Sequence, residues 1–187
     1  SLPAKTELEL TFVVPSIDLL GDPLAQNNNL LILDEAYWYK DLKRWIQLIQ
    51  SDTTTNCPEI VRQCSCLSMG LEFTDDLTIK QLNKTWRNKE EVTDVLSFPV
   101  VDNHLLMPVN QPVELGDIVI SIQAATRQAK EMDHDLLFEL RWLVSHGLLH
   151  LLGWDHPNQN ALKKMLGFQN QLISNEWKSS AMVESKG

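Results

Sequence analysis

The sequence predicts an α+β fold, a single domain in which a small mixed β-sheet is covered by helices, and two observations carry that reading. Short runs rich in β-formers are spread through the first two thirds of the chain, whereas amphipathic helical runs crowd its C-terminal part. The two kinds of run do not alternate strictly, which sets the chain apart from doubly wound parallel folds. A chain of 187 residues can bury about 70% of the surface that its unfolded form exposes. With 43% hydrophobic and 22% charged residues, the composition excludes a fibrous or wholly disordered protein. No internal repeat or linker is visible, so residues 1–178 are expected to form one domain, followed by a frayed tail over 179–187.

Taken in order, residues 7–14 alternate and end in β-formers, which predicts a strand. Residues 15–33 hold Pro15, Gly21, Pro23 and the run Asn27-Asn28-Asn29, the marks of a loop. Asp34 then offers an N-cap for a helix reaching about residue 50, with Tyr37, Trp38, Leu42, Trp45, Ile46 and Ile49 at helical spacing. A second strand is expected over 60–68, placing Cys64 and Cys66 on one strand face as apolar fillers. Thr74, Asp75 and Asp76 read as the cap and acidic first turn of a helix to about residue 86. A strand over 92–98 is stopped by Pro99, a proline-rich loop covers 101–115, and a further strand runs over 117–122. Helices follow at 123–131, 135–152 and 159–177.

The formal net charge of −9 argues against a protein coated in cations for non-specific DNA binding. Lys80, Lys84, Arg87 and Lys89 nevertheless form a local basic strip, which charge alone reads equally well as a solvated helix face. Three cysteines, Cys57, Cys64 and Cys66, make an odd count without framework spacing, which suits a reducing compartment. No apolar stretch is long enough to cross a bilayer, and Ser1-Leu2-Pro3 does not resemble the start of a signal peptide. The expectation is a cytoplasmic protein that does not span or anchor to a membrane.

The chemistry concentrates in His146-Gly147-Leu148-Leu149-His150-Leu151-Leu152-Gly153-Trp154-Asp155-His156, which holds three of the five histidines. His146 and His150 lie one helical turn apart on the same face. Gly153 suits a left-handed helix end that turns the chain and returns His156 towards the other two. Three imidazoles suit zinc and leave its fourth tetrahedral position open, the arrangement of a catalytic site, although nickel and copper also accept imidazole. The expected cofactor is one zinc ion per chain, at the C-terminal end of a buried helix. His104, in the proline-rich loop, and His134, near a helix start, read as surface or capping residues. The spacing of the three histidines also matches metzincin proteases, but those place a general-base Glu directly after the first His, and here that position is Gly147.

With these residues in view, the sequence resembles the YbeY family of bacterial endoribonucleases, over about residues 60–177. HGLLHLLGWDH at 146–156 is the strongest signature. Leu82-Asn83-Lys84-Thr85-Trp86-Arg87, Thr93-Asp94-Val95-Leu96-Ser97-Phe98-Pro99 and Leu115-Gly116-Asp117-Ile118-Val119-Ile120 complete it. The resemblance implies zinc on His146, His150 and His156 and a catalytic arginine at Arg87. It also implies a role in ribosomal RNA processing and ribosome assembly, with ribosomal RNA, the small ribosomal subunit and assembly proteins as partners. A guanidinium beside a metal can grip a phosphodiester through two parallel hydrogen bonds, which agrees with such a role. Without the resemblance, Arg87 reads as a helix-end cation. Asp94 and Asp117, beside strands, are candidates for fixing a histidine's second nitrogen or Arg87, or for capping turns. One departure stands out: the family commonly has Glu four residues after the Met that corresponds to Met165, and here that position is Gln169. The expected activity is zinc-dependent cleavage of single-stranded RNA. A metal hydrolase of another substrate, or an assembly factor with a structural metal, are the alternatives.

Overall fold

The computed structural model describes residues 6–16, 29–101 and 111–174. The first strand, β1 (Glu7–Val13), turns Leu8, Leu10 and Phe12 towards the core. Asp34 caps α1 (Glu35–Ser51) through a bond from the Ala36 amide at 3.0 Å. The apolar stripe of α1 places Trp38, Leu42, Trp45, Ile46 and Ile49 in the core.

The run expected to be a strand over 60–68 is divided differently. Its first part is a helical turn, α2 (Glu59–Gln63), and the strand β2 (Cys66–Thr74) follows. The cause is tertiary. From α2, the Arg62 guanidinium donates to the carbonyls of Ile49, Gln50 and Asp52 at 3.0–3.1 Å and of Thr55 at 2.8 Å. It thereby caps the end of α1, where helix carbonyls otherwise lack partners. Cys64 ends α2 and Cys66 opens β2, so the two do not share a strand face. Cys57, Cys64 and Cys66 are free thiols, and burial pushes Cys57 and Cys64 up to about 11.

Asp75 caps α3 (Asp76–Arg87) by accepting from the Thr78 amide at 2.8 Å. The next strand, β3 (Val95–Pro99), starts later than the expected 92 because the preceding residues form a turn. Asn83 Nδ2 donates to the Glu91 carbonyl at 3.0 Å, and Asp94 takes the Val95 amide at 2.7 Å. Pro99 is the last residue of β3, an edge strand, where a missing amide is tolerated. β4 (Val113–Ser121) begins well before the expected 117. Then come α4 (Ile122–Glu131), α5 (Leu136–Leu151) and α6 (Gln159–Ile173), capped by Ser121, Asp135 and Asn158.

The sheet order is β1-β2-β4-β3. β1 pairs with β2, and β2 with β4, in parallel, and β3 runs antiparallel to β4. The fold is therefore the expected α+β type with a mixed sheet. Leu67, Met69, Leu71 and Phe73 of β2, with Ile118 and Ile120 of β4, join one core cluster with α1, α5 and α6. Ile79 of α3 packs with Leu96 and Val119 in a smaller cluster. Leu140, Val144, Leu148 and Leu149 bury α5 deeply, so the histidine motif sits at the end of a buried helix.

His134 is exposed and packs its ring on Phe138, with centroids 4.7 Å apart. His104, the terminal Ser1-Leu2-Pro3, the Gly21 to Asn28 stretch and the expected tail at 179–187 lie outside the described residues. Among the described residues, no helix is long and apolar enough to cross a membrane.

Candidate metal centre and substrate cleft

The site is assembled at the place where α5 stops. Gly153 adopts φ 90°, a left-handed conformation that a side chain would strain. Its amide bonds to the His150 carbonyl and the Trp154 amide to the Leu149 carbonyl, both at 3.0 Å. These are the paired bonds of a Schellman turn, which satisfy carbonyls at the helix end. The Trp154 ring stacks on Phe168 of α6 at 5.0 Å, and its Nε1 donates to the Asn56 carbonyl at 2.7 Å. Held in this way, the chain returns His156 to the helix end.

The His156 ring centroid lies 5.8 Å from that of His146 and 5.4 Å from that of His150, which are 4.5 Å from each other. One ring nitrogen from each histidine falls within 4.8 Å of the other two, a set that could hold a metal ion. The donor chemistry fits such an ion. His150 Nδ1 lies 2.9 Å from the Trp154 carbonyl, which can only accept, so the proton sits on Nδ1 and Nε2 presents a lone pair. Burial lowers the pKa of His146 and His150, and the neighbouring histidines lower them further. Both imidazoles are therefore neutral at pH 7, the form that binds metal.

An open cleft of about 570 Å³ runs from His146 and His150 past β3 to the end of α3. Arg87 lines it together with Asn83, Lys89 and Asp94, so the arginine singled out in the sequence shares the cleft with two of the histidines. A guanidinium nitrogen of Arg87 donates to the Ser97 carbonyl, and its Cζ lies 5.8 Å from the centroid of Phe98. Asp94 accepts from the Val95 amide at 2.7 Å and from Gln128 Nε2 at 3.0 Å, and its charge raises the pKa of His146 against the effect of burial. Asp117 is elsewhere. Its carboxylate covers Gly70, in a separate hollow with Glu72, Trp86 and Phe98, where burial first and then the Asp117 charge raise the pKa of Glu72. Within the basic strip, Lys84 is paired with Glu90 at 3.1 Å.

The second nitrogens of His146 and His150 are held by other groups than the two aspartates. His150 uses the Trp154 carbonyl. His146 Nδ1 lies 2.9 Å from Oε1 of Gln169, which is fully buried on α6. In the sequence Gln169 stood out only as a departure, and nothing local signals its contact with a residue on another helix. Gly147 also has a role that its motif position hides. A Cβ built there would lie 2.8 Å from Ile118 Cγ2, so the glycine lets α5 lie close on β4. A Cβ at 147 would point at the sheet, and the residue that follows the first histidine carries no side chain to act as a base.

An α+β domain that gathers three imidazoles at a helix end, two of them lining an open cleft with an arginine, is a candidate hydrolase site. The family comparison agrees with that class. A family model described as Endoribonuclease YbeY matches residues 26–176, and the chain belongs to that family. It is 51% identical over 172 residues to a protein named Endoribonuclease YbeY from Prochlorococcus marinus (strain MIT 9313), covering 92% of each chain. It is 53% identical over 147 residues to one of the same name from P. marinus (strain MIT 9211), covering 78% of each. A solution structure from Thermotoga maritima aligns with a TM-score of 0.47 at 18% identity, over 88% of each chain.

Proposed function

We propose that this chain is a zinc-dependent endoribonuclease that cleaves single-stranded RNA during ribosomal RNA processing, including maturation of the 16S 3′ end. The observation that carries the reading is the convergence of His146, His150 and His156 on one point, with Arg87 in the same cleft. Family membership supports the RNA substrate. Zinc on these nitrogens would supply Lewis acidity towards a phosphate oxygen and would lower the pKa of water at the open position.

The chain's own residues do the rest. His146 and His150, neutral and buried, present lone pairs without a proton to lose at neutral pH. Arg87 is aimed by the Ser97 carbonyl and the Phe98 ring and keeps donors free for a phosphodiester, whose charge grows during displacement. Ribosomal RNA, the small ribosomal subunit and ribosome-assembly proteins are the proposed partners, in the cytoplasm. An acidic body suits delivery by protein partners better than a search along RNA by non-specific charge.

The test is turnover of a defined single-stranded RNA by zinc-loaded protein, beside chelated protein and Arg87→Ala, with a peptide library as the contrast. Chelator-sensitive RNA cleavage that Arg87→Ala loses supports the reading. Chelator-sensitive peptide cleavage, or RNA cleavage indifferent to both treatments, overturns it.

A further inference from the structure

The geometry points to Gln169 as a positioning residue that selects which nitrogen of His146 faces the metal. The inference rests on the metal-site reading above and extends it to the buried partner behind one ligand. Gln169 is fully buried between α5 and α6. Its Nε2 lies 3.3 Å from the Trp142 carbonyl and its Oε1 lies 2.9 Å from His146 Nδ1. The Trp142 carbonyl only accepts, so it demands the amide nitrogen and turns the amide oxygen to His146. That oxygen also only accepts, so His146 carries its proton on Nδ1. A main-chain carbonyl thus fixes the amide, and the amide fixes the tautomer.

The consequence appears on the other side of the ring. His146 Nε2 and His150 Nε2 are 2.9 Å apart. His150 also carries its proton on Nδ1, because the Trp154 carbonyl accepts it. Both facing nitrogens are then bare, and two lone pairs meet with no proton between them. The competing arrangement, with the proton on His146 Nε2, would join the two histidines by a hydrogen bond. A metal would then have to displace that proton before it could bind. Gln169 holds the ring in the form that is poor as a hydrogen-bonded pair and good as a metal ligand. Outer partners of this kind are typically worth about 10–100-fold in metal affinity.

Two measurements on the full chain test this, and neither needs RNA cleavage. The first is the tautomer of His146 in metal-free, 15N-labelled protein at pH 8, read from the imidazole nitrogen shifts of the wild type, Gln169→Leu and Gln169→Glu. The second is zinc affinity by competition with a chromophoric chelator, recorded beside the melting temperature of each metal-free protein. The wild type should carry its proton on Nδ1. Gln169→Leu should move it to Nε2 and weaken zinc binding about 10–100-fold. Gln169→Glu keeps an acceptor towards His146, so it should retain the Nδ1 proton and bind zinc within a few-fold of wild type. An unchanged tautomer and affinity in Gln169→Leu would overturn the inference. Equal losses in Leu and Glu would also overturn it, because the amide would then act only as filling. A wild type that binds no zinc yet shows the Gln169-dependent tautomer would sink the metal reading and leave the positioning role standing.

Discussion

On one side of the cleft, His146 and His150 project from α5, a helix whose inner face is fully buried and whose end is closed by paired backbone bonds. Each ring is held from behind by a buried acceptor. On the other side, Arg87 stands on the last turn of α3, is itself exposed, and is steadied by one carbonyl and one aromatic ring. The contrast fits the two proposed tasks. A metal needs ligands placed before it arrives, because ligand reorganisation detracts from binding. A residue that grips a polymer needs room for substrate to enter and leave. The same contrast separates affinity from turnover: changes on the α5 side should be read in metal content and stability, changes on the α3 side in rate.

His150→Ala is the strongest attack on the fixed side. It removes a proposed ligand and the group that bonds to the Trp154 carbonyl, so the helix end and the proposed metal site are affected together. The expected loss of zinc affinity exceeds the roughly 100-fold that an outer partner commands. RNA cleavage should disappear, and because metal binding and folding are coupled, the zinc-dependent rise in melting temperature should go too. Elemental analysis and thermal melts with and without zinc check it. Full zinc occupancy in the mutant would end the assignment of His150 as a ligand.

Arg87→Ala and Arg87→Lys probe the looser side. Removing one charge-stabilising contact typically lowers turnover by about a hundredfold or more. Lysine should be nearly as damaging, since it keeps the charge but loses the planar fork. Zinc content should hold. Loss of the bond to the Ser97 carbonyl brings a stability loss of about 1 kcal/mol in the alanine variant. Rates, metal content and melting temperatures of the three proteins separate these effects. Wild-type cleavage by Arg87→Ala would remove Arg87 from the mechanism.

Gly147→Ala returns to the fixed side with a change that touches no ligand. The new Cβ would meet Ile118 Cγ2 at 2.8 Å, and Ile118 is a fully buried branched side chain with little room to move. Overpacking of this kind costs about 1–3 kcal/mol. A drop of several degrees in melting temperature is expected, since about 1 kcal/mol shifts a domain of this size by 2–4 °C. A variant as stable as wild type would show that α5 does not depend on close approach to the sheet.

These contrasts also mark what could be read from the chain alone. Caps and periodicity are local, so Asp34 and the run from Thr74 to Asp76 announced their helices, although Asp75 rather than Thr74 supplies the cap, and Gly153 with the histidine spacing announced the three-histidine cluster. The errors arose where a distant partner decided. Residues 59–63 have strand-like composition but wind into a helical turn that lets Arg62 close the end of α1. In the sequence, Asp94 and Asp117 read as partners for a histidine or Arg87 or as turn caps. Asp94 takes the Val95 amide of its own turn, and the places behind His146 and His150 belong to Gln169 and to a main-chain carbonyl. A backbone acceptor leaves no trace in residue identity. A glutamine brought in from another helix leaves none until the helices are packed.

The smallest expected effect concerns how the looser side is anchored. Asp76, in the first turn of α3, pairs with Arg127 of α4 at 2.7 Å and accepts from Ser121 Oγ at 2.8 Å. Bonding to Arg127 first, and to Ser121, holds its pKa below the ordinary 3.8 despite partial burial. A lowered folded-state pKa gives stability that is fully present above the unfolded value and is lost as pH falls through the folded one. Arg127 is half exposed, so solvent screening holds the ion pair below about 1 kcal/mol. With the Ser121 bond, Asp76→Asn should cost about 1–2 kcal/mol near neutral pH. The gap between wild type and Asp76→Asn should stay constant from pH 7 to pH 5 and shrink below the ordinary aspartate range, as the wild-type carboxyl takes up its proton. Denaturant unfolding of both proteins at pH 7, 5 and 3 measures it. Zinc affinity should be the same in both, because the anchor lies under α3 and not under α5. A gap that persists at pH 3 would mean that the asparagine is disruptive by shape rather than charge, and a fall in zinc affinity would mean that the two sides of the cleft are coupled.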